Sequence, residues 1–205
     1  MKLFYSPGAC SLGIHVILEE IGKPFELVVS SARDGSLYQP AFVAMNPKSK
    51  VPTLLRDDGS VLTEYPAIAM WLARSNPACS LIPADIEGEA RMLEAMDYIV
   101  STVHMQGFTR IARPGNFTPN EADHEAVKAR GREILAKGLK LFDAQLEGRD
   151  WLIGSYSLAD IALMYVENWI PRAGIVMPAN VAAHFARMKA RPAVQRAFAS
   201  EGLAL

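Results

Sequence analysis

Short apolar segments separated by turn signals fill the first 75 or so residues, and this pattern predicts strands and helices in alternation. An apolar strand at residues 3–5 ends at Pro7-Gly8. The helix that follows has apolar positions with helical spacing, and it ends at Gly22. These apolar positions are Ile14, Ile17, Leu18 and Ile21.

Three further strands and a second main helix complete this region. Residues 25–29 form the second predicted strand, and residues 51–55 and 61–63 flank the hairpin signal Asp57-Asp58-Gly59. A helix runs from Glu64 to about Arg74, with Pro66 tolerated in its first turn. A crossover helix implies that the first two strands are parallel, whereas the hairpin makes the last two antiparallel. The prediction is a compact mixed α/β domain.

Only helical patterns follow the break at residues 76–83. The predicted helices span residues 87–113, 121–146, 157–169, 180–191 and 193–200. Ser157 and Asp160 form a capping box at the start of the third of these helices. We therefore predict an α/β domain at residues 1–76, a linker at 77–84 and an all-α helical bundle at 85–205.

Composition excludes several classes of function. The 205 residues are 50% hydrophobic and 21% charged, and the net charge of −1 offers no basic surface to nucleic acid or to an anionic membrane. The sequence indicates no signal peptide, and it contains no apolar run that approaches membrane-spanning length. Two cysteines, Cys10 and Cys79, are too few for a disulfide framework, so we expect a cytoplasmic location. The four histidines lack metal-ligand spacing, so no metal is expected.

Cys10 and Ser11 place a thiol and a hydroxyl on the first turn of a helix that follows a strand. The unpaired N–H groups of a helix N-terminus carry partial positive charge, which favours a thiolate and can bind an incoming anion. The alternative is that Cys10 is a small buried packing residue. Position alone leaves both interpretations open.

Pro52 enters a predicted strand, where it cannot donate a hydrogen bond to a neighbouring strand. One solution is a cis bond after Val51, which would leave the backbone groups of Val51 facing a ligand. A trans bond is the commoner alternative for any X–Pro pair.

Taken together, the motifs resemble those of the cytosolic glutathione transferases, and among them the bacterial beta class. The resemblance covers essentially the whole length. Its motifs are residues 5–12 (Tyr-Ser-Pro-Gly-Ala-Cys-Ser-Leu), residues 46–54 (Asn-Pro-Lys-Ser-Lys-Val-Pro-Thr-Leu), residues 62–64 with Ala67-Ile68, Val103-His104, residues 157–160 with Trp169, and residues 191–194. The resemblance implies a thioredoxin-like N-terminal domain that binds glutathione and an all-α bundle that contributes the electrophile pocket.

The resemblance also implies how glutathione is held. Val51, followed by cis-Pro52, would pair through its main chain with the cysteinyl part of glutathione. Glu64 would meet the γ-glutamyl amino group, and the N–H of Tyr65 would hold the γ-glutamyl carboxylate. Lys50 would hold the glycyl carboxylate. The alternative for Glu64 is an ordinary acidic residue that stabilises a helix N-terminus.

The implied catalytic groups are those that favour the thiolate of glutathione. Cys10, Ser11 and His104 are candidate donors, with His104 placed over the glutathione sulfur by analogy to the beta class. Tyr5 is a further candidate hydroxyl, with a structural role as its alternative. A solvated or core histidine is the alternative for His104.

Phe108 and Trp169 would line the pocket for an apolar co-substrate, with core packing as the alternative. Two residues depart from the family pattern. Tyr65 replaces a residue that is usually small, and Met105, beside the pocket, replaces the lysine that often follows this histidine in the beta class.

The implied activity is transfer of glutathione to a small hydrophobic electrophile by a homodimeric detoxification enzyme. Thiol–disulfide exchange through Cys10 is a second possible chemistry. A non-catalytic ligand-binding protein of the same fold and a glutathione-dependent dehalogenase, isomerase or ether-cleaving enzyme are the alternatives.

Overall fold

The computed structural model describes residues 1–205 and contains two compact units. The first unit comprises Met1–Ile82 and Lys189–Leu205, and the second comprises Pro83–Met188. The strands are β1 (Lys2–Tyr5), β2 (Glu26–Val29), β3 (Thr53–Leu55) and β4 (Val61–Thr63). The α-helices are α1 (Ser11–Ile21), α2 (Pro40–Met45), α3 (Tyr65–Arg74), α4 (Ile86–Asp97), α5 (Thr109–Ala112), α6 (His124–Gln145), α7 (Leu158–Glu167), α8 (Ile170–Ala173), α9 (Ala179–Ala190) and α10 (Pro192–Glu201).

The sheet of the first unit has the strand order β2-β1-β3-β4. Strands β1 and β2 are parallel, and β3 and β4 are antiparallel, which confirms both predictions from the connections. Leu3 of β1 lies opposite Leu27 on one side and Leu54 on the other. Leu3 and Leu54 are fully buried, so the two central strands carry the core of this unit.

The C-terminal helix α10 packs along α1, which the sequence did not indicate. The carboxylate of Glu201 lies 2.9 Å from Nδ1 of buried His15 on α1, and Arg191 bonds Glu20 at 2.9 Å. Phe198 is fully buried. Residues 189–205 therefore fold with the first unit, whereas the pattern of helices had grouped them with the helical domain.

The predicted helix at 87–113 is not a single α-helix. Between α4 and α5 lies the π segment, Tyr98–Phe108, after which the N–H of Thr109 bonds the carbonyl of His104 five residues back. Helix α6 packs closely on this segment because it carries glycines there. A methyl group added at Gly138 would lie 2.6 Å from Val103, and one added at Gly131 would lie 2.7 Å from the carbonyl of Gly107.

None of the helices has both the length and the apolar character of a membrane-spanning segment.

A buried charged cluster links α7 to α9 within the second unit. Ser157 and Asp160 form the predicted capping box. His184 lies 3.2 Å from the Asp160 carboxylate and 2.8 Å from that of Glu167, and all three side chains are fully buried. Burial alone would lower the pKa of His184, but the two carboxylates outweigh it and raise the pKa to about 9.

Candidate active site

The turn before α1 brings Cys10 to the helix N-terminus, as predicted. Cys10 is half-buried, and its thiol donates to the carbonyl of Val51 with a sulfur–oxygen distance of 3.6 Å. The structure therefore brings two residues together that are 41 positions apart in sequence. The hydroxyl of fully buried Ser11 donates to the carbonyl of Ser6 at 3.3 Å and accepts from its N–H at 3.2 Å. Ser11 thus closes the turn that presents Cys10.

Glu201 of α10 bonds the backbone of the same turn. This residue was missed by sequence reasoning. Its carboxylate accepts from the N–H of Gly8 at 2.8 Å and contacts His15 at 2.9 Å. Gly8 has a φ of 67°, which a glycine adopts without strain. Burial, and then the charge of Glu201, raise the pKa of Tyr5 above its usual value, so Tyr5 remains protonated near neutral pH. No sequence signal links residue 201 to this turn, because the contact depends on tertiary packing.

The loop before β3 is organised by buried Asn46. Its side-chain amide donates to the carbonyl of Lys50 at 2.9 Å and to the hydroxyl of Thr53 at 2.8 Å. The peptide bond between Val51 and Pro52 is cis, as the resemblance implied. The side chain of Lys50 is exposed at the edge of this loop.

Glu64 has an unusual backbone conformation at the start of α3. Its φ of 72° and ψ of 126° lie outside the regions that non-glycine residues prefer. Such strained residues cluster at functional sites. Its carboxylate accepts from Nζ of Lys48 at 2.7 Å, and Lys48 also donates to the Thr63 hydroxyl at 2.8 Å. Lys48 lies within the motif at residues 46–54, but sequence reasoning assigned the cationic role there to Lys50 alone.

Tyr65 is the first residue of α3, where backbone N–H groups have no partner within the helix. Its side chain turns into the protein and is only 4% exposed. The ring packs on Gly13 of α1, where an added methyl group would lie 2.4 Å from the phenol oxygen. The bulky residue is therefore accommodated by the absence of a side chain at position 13. Burial, and then the charge of Cys10, raise the pKa of Tyr65 well above its usual value.

The remaining predicted residues lie in the second unit, where an aromatic cluster forms around His104. The cluster consists of His104, Phe108, Tyr165 and Trp169. The His104 and Trp169 ring centroids are 4.8 Å apart, and Phe108 stacks on Trp169 at 4.5 Å. The hydroxyl of Tyr165 lies 3.4 Å from Nδ1 of His104. Met105, which follows His104 in the sequence, is 37% exposed.

The structure thus brings the predicted residues His104, Phe108 and Trp169 into ring contact. Trp169 is only 4% exposed, so most of its ring packs inside the unit. Tyr165 was missed, because it lies in the entirely buried helix α7, where its neighbours in sequence are apolar core residues. No group of three or more His, Cys, Asp or Glu residues is arranged to hold a metal ion.

The two halves of the chain match the models of the glutathione S-transferase N-terminal domain, over residues 8–75, and C-terminal domain, over residues 92–192. The chain is 38% identical over 208 residues to the glutathione S-transferase GstA of Escherichia coli O157:H7, covering 99% of this chain and 100% of that protein. A glutathione transferase homologue from Sulfitobacter, solved with bound glutathione, has a TM-score of 0.92 and 27% identity, covering 99% and 98% of the two chains. The beta-class glutathione S-transferase of Sphingomonas chungbukensis has a TM-score of 0.86 and 32% identity, with full coverage of both chains. The chain therefore belongs to the glutathione S-transferase family.

Proposed function

We propose that this glutathione transferase binds glutathione on its first unit and activates the glutathione sulfur at the N-terminus of α1. The observation that carries the proposal is the meeting of Cys10 with the Val51 carbonyl at 3.6 Å. This contact joins a helix N-terminus, which favours an anionic sulfur, to the segment just before β3, whose backbone can pair with a peptide.

Glutathione offers a charge pattern that these residues match. Val51 would pair with the cysteinyl backbone, and the strained Glu64 would accept from the γ-glutamyl ammonium group. The N-terminus of α3 at Tyr65 would bind the γ-glutamyl carboxylate. Lys50, and also Lys48, would attract the glycyl carboxylate. The ion pair between Lys48 and Glu64 is exposed and contributes little to stability, so a ligand ammonium can replace it at small cost.

Activation of the sulfur is the proposed catalytic step. The N–H groups of α1 and the Cys10 thiol would stabilise the glutathione thiolate, which then attacks the electrophile while the leaving group departs. Ser11 already bonds the backbone of Ser6, so Cys10 is the stronger donor candidate of the two. Tyr5 and His104 are the remaining proposed catalytic groups.

The electrophile is proposed to be a small hydrophobic molecule. Half-buried Phe108, which stacks on Trp169, provides a ring face, and Met105 provides an exposed and adaptable apolar side chain. No carboxylate, lysine or arginine belongs to this cluster, which favours an uncharged apolar group over an ionic one.

Thiol–disulfide exchange is the second chemistry proposed for Cys10. Its thiolate would attack one sulfur of oxidised glutathione, the bond between the two glutathione sulfurs would break, and one glutathione thiolate would leave. The product is a mixed disulfide between Cys10 and glutathione. Mass spectrometry of protein treated with oxidised glutathione should show an adduct that a thiol removes, and its absence would refute the exchange.

Turnover of glutathione with an activated aryl chloride tests the proposed transfer. We expect conjugation by the wild-type protein and a lower kcat for Cys10→Ala, because the variant loses a sulfur donor. Cys79→Ala is the matched control and should retain full kcat. Binding of glutathione without turnover across a panel of electrophiles would instead support a non-catalytic ligand-binding protein.

A homodimer, a cytoplasmic location and a role in detoxification are further proposals carried by family resemblance. Light scattering on the purified protein should give twice the chain mass of 22.4 kDa, and a monomer would refute the dimer.

A further inference from the structure

The ion pair between Lys48 and Glu64 joins two segments of the first unit that border the proposed glutathione site. Nζ of Lys48 donates to the Glu64 carboxylate at 2.7 Å and to the Thr63 hydroxyl at 2.8 Å. The lysine belongs to the loop before β3, whereas Glu64 lies between β4 and α3. The lysine ammonium therefore contacts the same carboxylate that the proposed function assigns to the γ-glutamyl ammonium group.

The carboxylate end of this ion pair is held by the backbone. Glu64 has a φ of 72° and a ψ of 126°, a strained conformation that persists only where the surrounding structure enforces it. Its carbonyl accepts from the N–H of Ile68 at 3.0 Å, which begins the hydrogen bonding of α3. The start of α3 thus fixes the backbone from which the carboxylate projects.

The lysine end of the ion pair can move without its backbone. The N–H of Lys48 donates to the side-chain oxygen of Asn46 at 3.2 Å, so the residue that organises this loop also anchors the lysine main chain. The side chain of Lys48 is 51% exposed and that of Glu64 is 62% exposed. Because an exposed ion pair contributes little and lysine has a flexible four-carbon stem, the ammonium can leave the carboxylate while the loop stays in place.

We propose that Lys48 is an internal substitute for the γ-glutamyl ammonium group, and that the site therefore also binds thiol peptides that lack this group. The inference rests on the proposed function, which places glutathione against Glu64. When glutathione binds, its ammonium displaces Lys48 from the carboxylate. When a peptide without the ammonium binds, Lys48 stays on Glu64 and neutralises a charge that would otherwise repel the carboxylates of the ligand.

The selectivity of the site for the ammonium follows from this exchange. Selectivity is the difference between two binding free energies. In the wild-type protein, a ligand without the ammonium loses one ion pair with Glu64 but leaves the ion pair of Lys48 intact. In Lys48→Met the same ligand leaves Glu64 with no cation, so the loss is not offset. Lys48 should therefore weaken the preference for glutathione over its analogue.

Titration calorimetry with two ligands tests the proposal. The ligands are glutathione and its des-amino analogue, in which hydrogen replaces the γ-glutamyl ammonium. The ratio of their dissociation constants isolates the effect of the ammonium, because both ligands share the peptide backbone, the thiol and the two carboxylates. We expect the preference for glutathione to increase by about three- to fivefold in Lys48→Met. Lys48→Arg retains the cation and should keep the wild-type ratio.

Two controls show whether the effect passes through Glu64. Lys2→Met removes the cation of another exposed ion pair in the first unit, with Glu26 at 2.8 Å, and should leave the ratio unchanged. In a Glu64→Gln background, Lys48→Met should also leave the ratio unchanged, because the amide has no charge with which to attract either cation.

Three results would overturn the proposal. These are an equal ratio in the wild type and Lys48→Met, an increase of the same size in the Glu64→Gln background, and binding of glutathione without binding of the des-amino analogue to the wild type. Failure of the wild-type protein to bind either ligand would instead refute the proposed function, and the role of Lys48 with it.

Discussion

Replacing Gly13 by alanine should change the free energy of unfolding in a direction that depends on Tyr65. In an isolated helix this substitution stabilises by about 1 kcal/mol, because alanine loses less backbone entropy on folding. In the wild-type protein the new methyl group meets the phenol oxygen at 2.4 Å and two ring carbons at 2.8 and 3.0 Å.

The size of the effect follows from how far the ring must move. To reach ordinary contact distances the phenol must retreat by about 1 Å in an interior packed too tightly to give way freely. Overpacking of this kind costs about 1–3 kcal/mol, and the gain in helix propensity offsets about 1 kcal/mol of this cost. We therefore expect Gly13→Ala to destabilise the wild-type protein by up to about 2 kcal/mol.

The effect of Gly13→Ala on the free energy of unfolding should change sign when the Tyr65 ring is absent. In a Tyr65→Ser background, alanine at position 13 keeps its propensity advantage and fills part of the vacated space. It should then stabilise by about 1 kcal/mol relative to Tyr65→Ser alone. Urea unfolding of the wild type, the two single variants and the double variant, with matching m-values, measures the coupling energy between positions 13 and 65. Stabilisation by Gly13→Ala in both backgrounds would refute the packing of Tyr65 on α1.

Two other predictions concern the second unit. Because the pKa of His184 is raised to about 9, its contribution to stability is complete below its unfolded value of about 6.5 and is lost as the pH rises through 9. The free energy of unfolding should fall by about 2–3 kcal/mol over that range, and a flat profile in urea titrations would contradict the buried cluster with Asp160 and Glu167. Gly138→Ala should destabilise by up to about 2 kcal/mol, because its methyl group meets Val103 at 2.6 Å and the gain in helix propensity offsets only part of the cost. Val103→Ala should relieve part of this loss, and purely additive effects would argue against the close helix packing.

Features decided by local chemistry could be predicted from the sequence. The capping box at Ser157 and Asp160 depends on residues three positions apart, so its sequence pattern is sufficient. The hairpin between β3 and β4 depends on the Asp-Gly turn, and the parallel pairing of β1 and β2 depends on the helix between them. The position of Cys10 at the start of α1 could also be predicted, because it depends only on the local sequence around the turn.

Features decided by tertiary packing could not be predicted. The π segment has no signal in its own sequence. The close contacts at this segment depend on Gly131 and Gly138, which lie in α6. The docking of Glu201 on Gly8 joins positions that are 193 residues apart. The direction of the Tyr65 side chain was equally hidden, since its ring could have pointed toward the proposed glutathione site, and only the contact with Gly13 shows that it turns inward.

The affinity of glutathione for the Glu64→Gln variant tests the central claim most directly. Titration calorimetry should show binding to the wild-type protein and a loss of about tenfold or more for Glu64→Gln, because the neutral amide keeps an acceptor oxygen but loses the charge that attracts the ligand ammonium. Glu94→Gln, which alters an exposed glutamate of the second unit, should bind glutathione as the wild type does. Equal affinities for wild type and Glu64→Gln, or no binding to the wild-type protein, would contradict a glutathione site on the first unit.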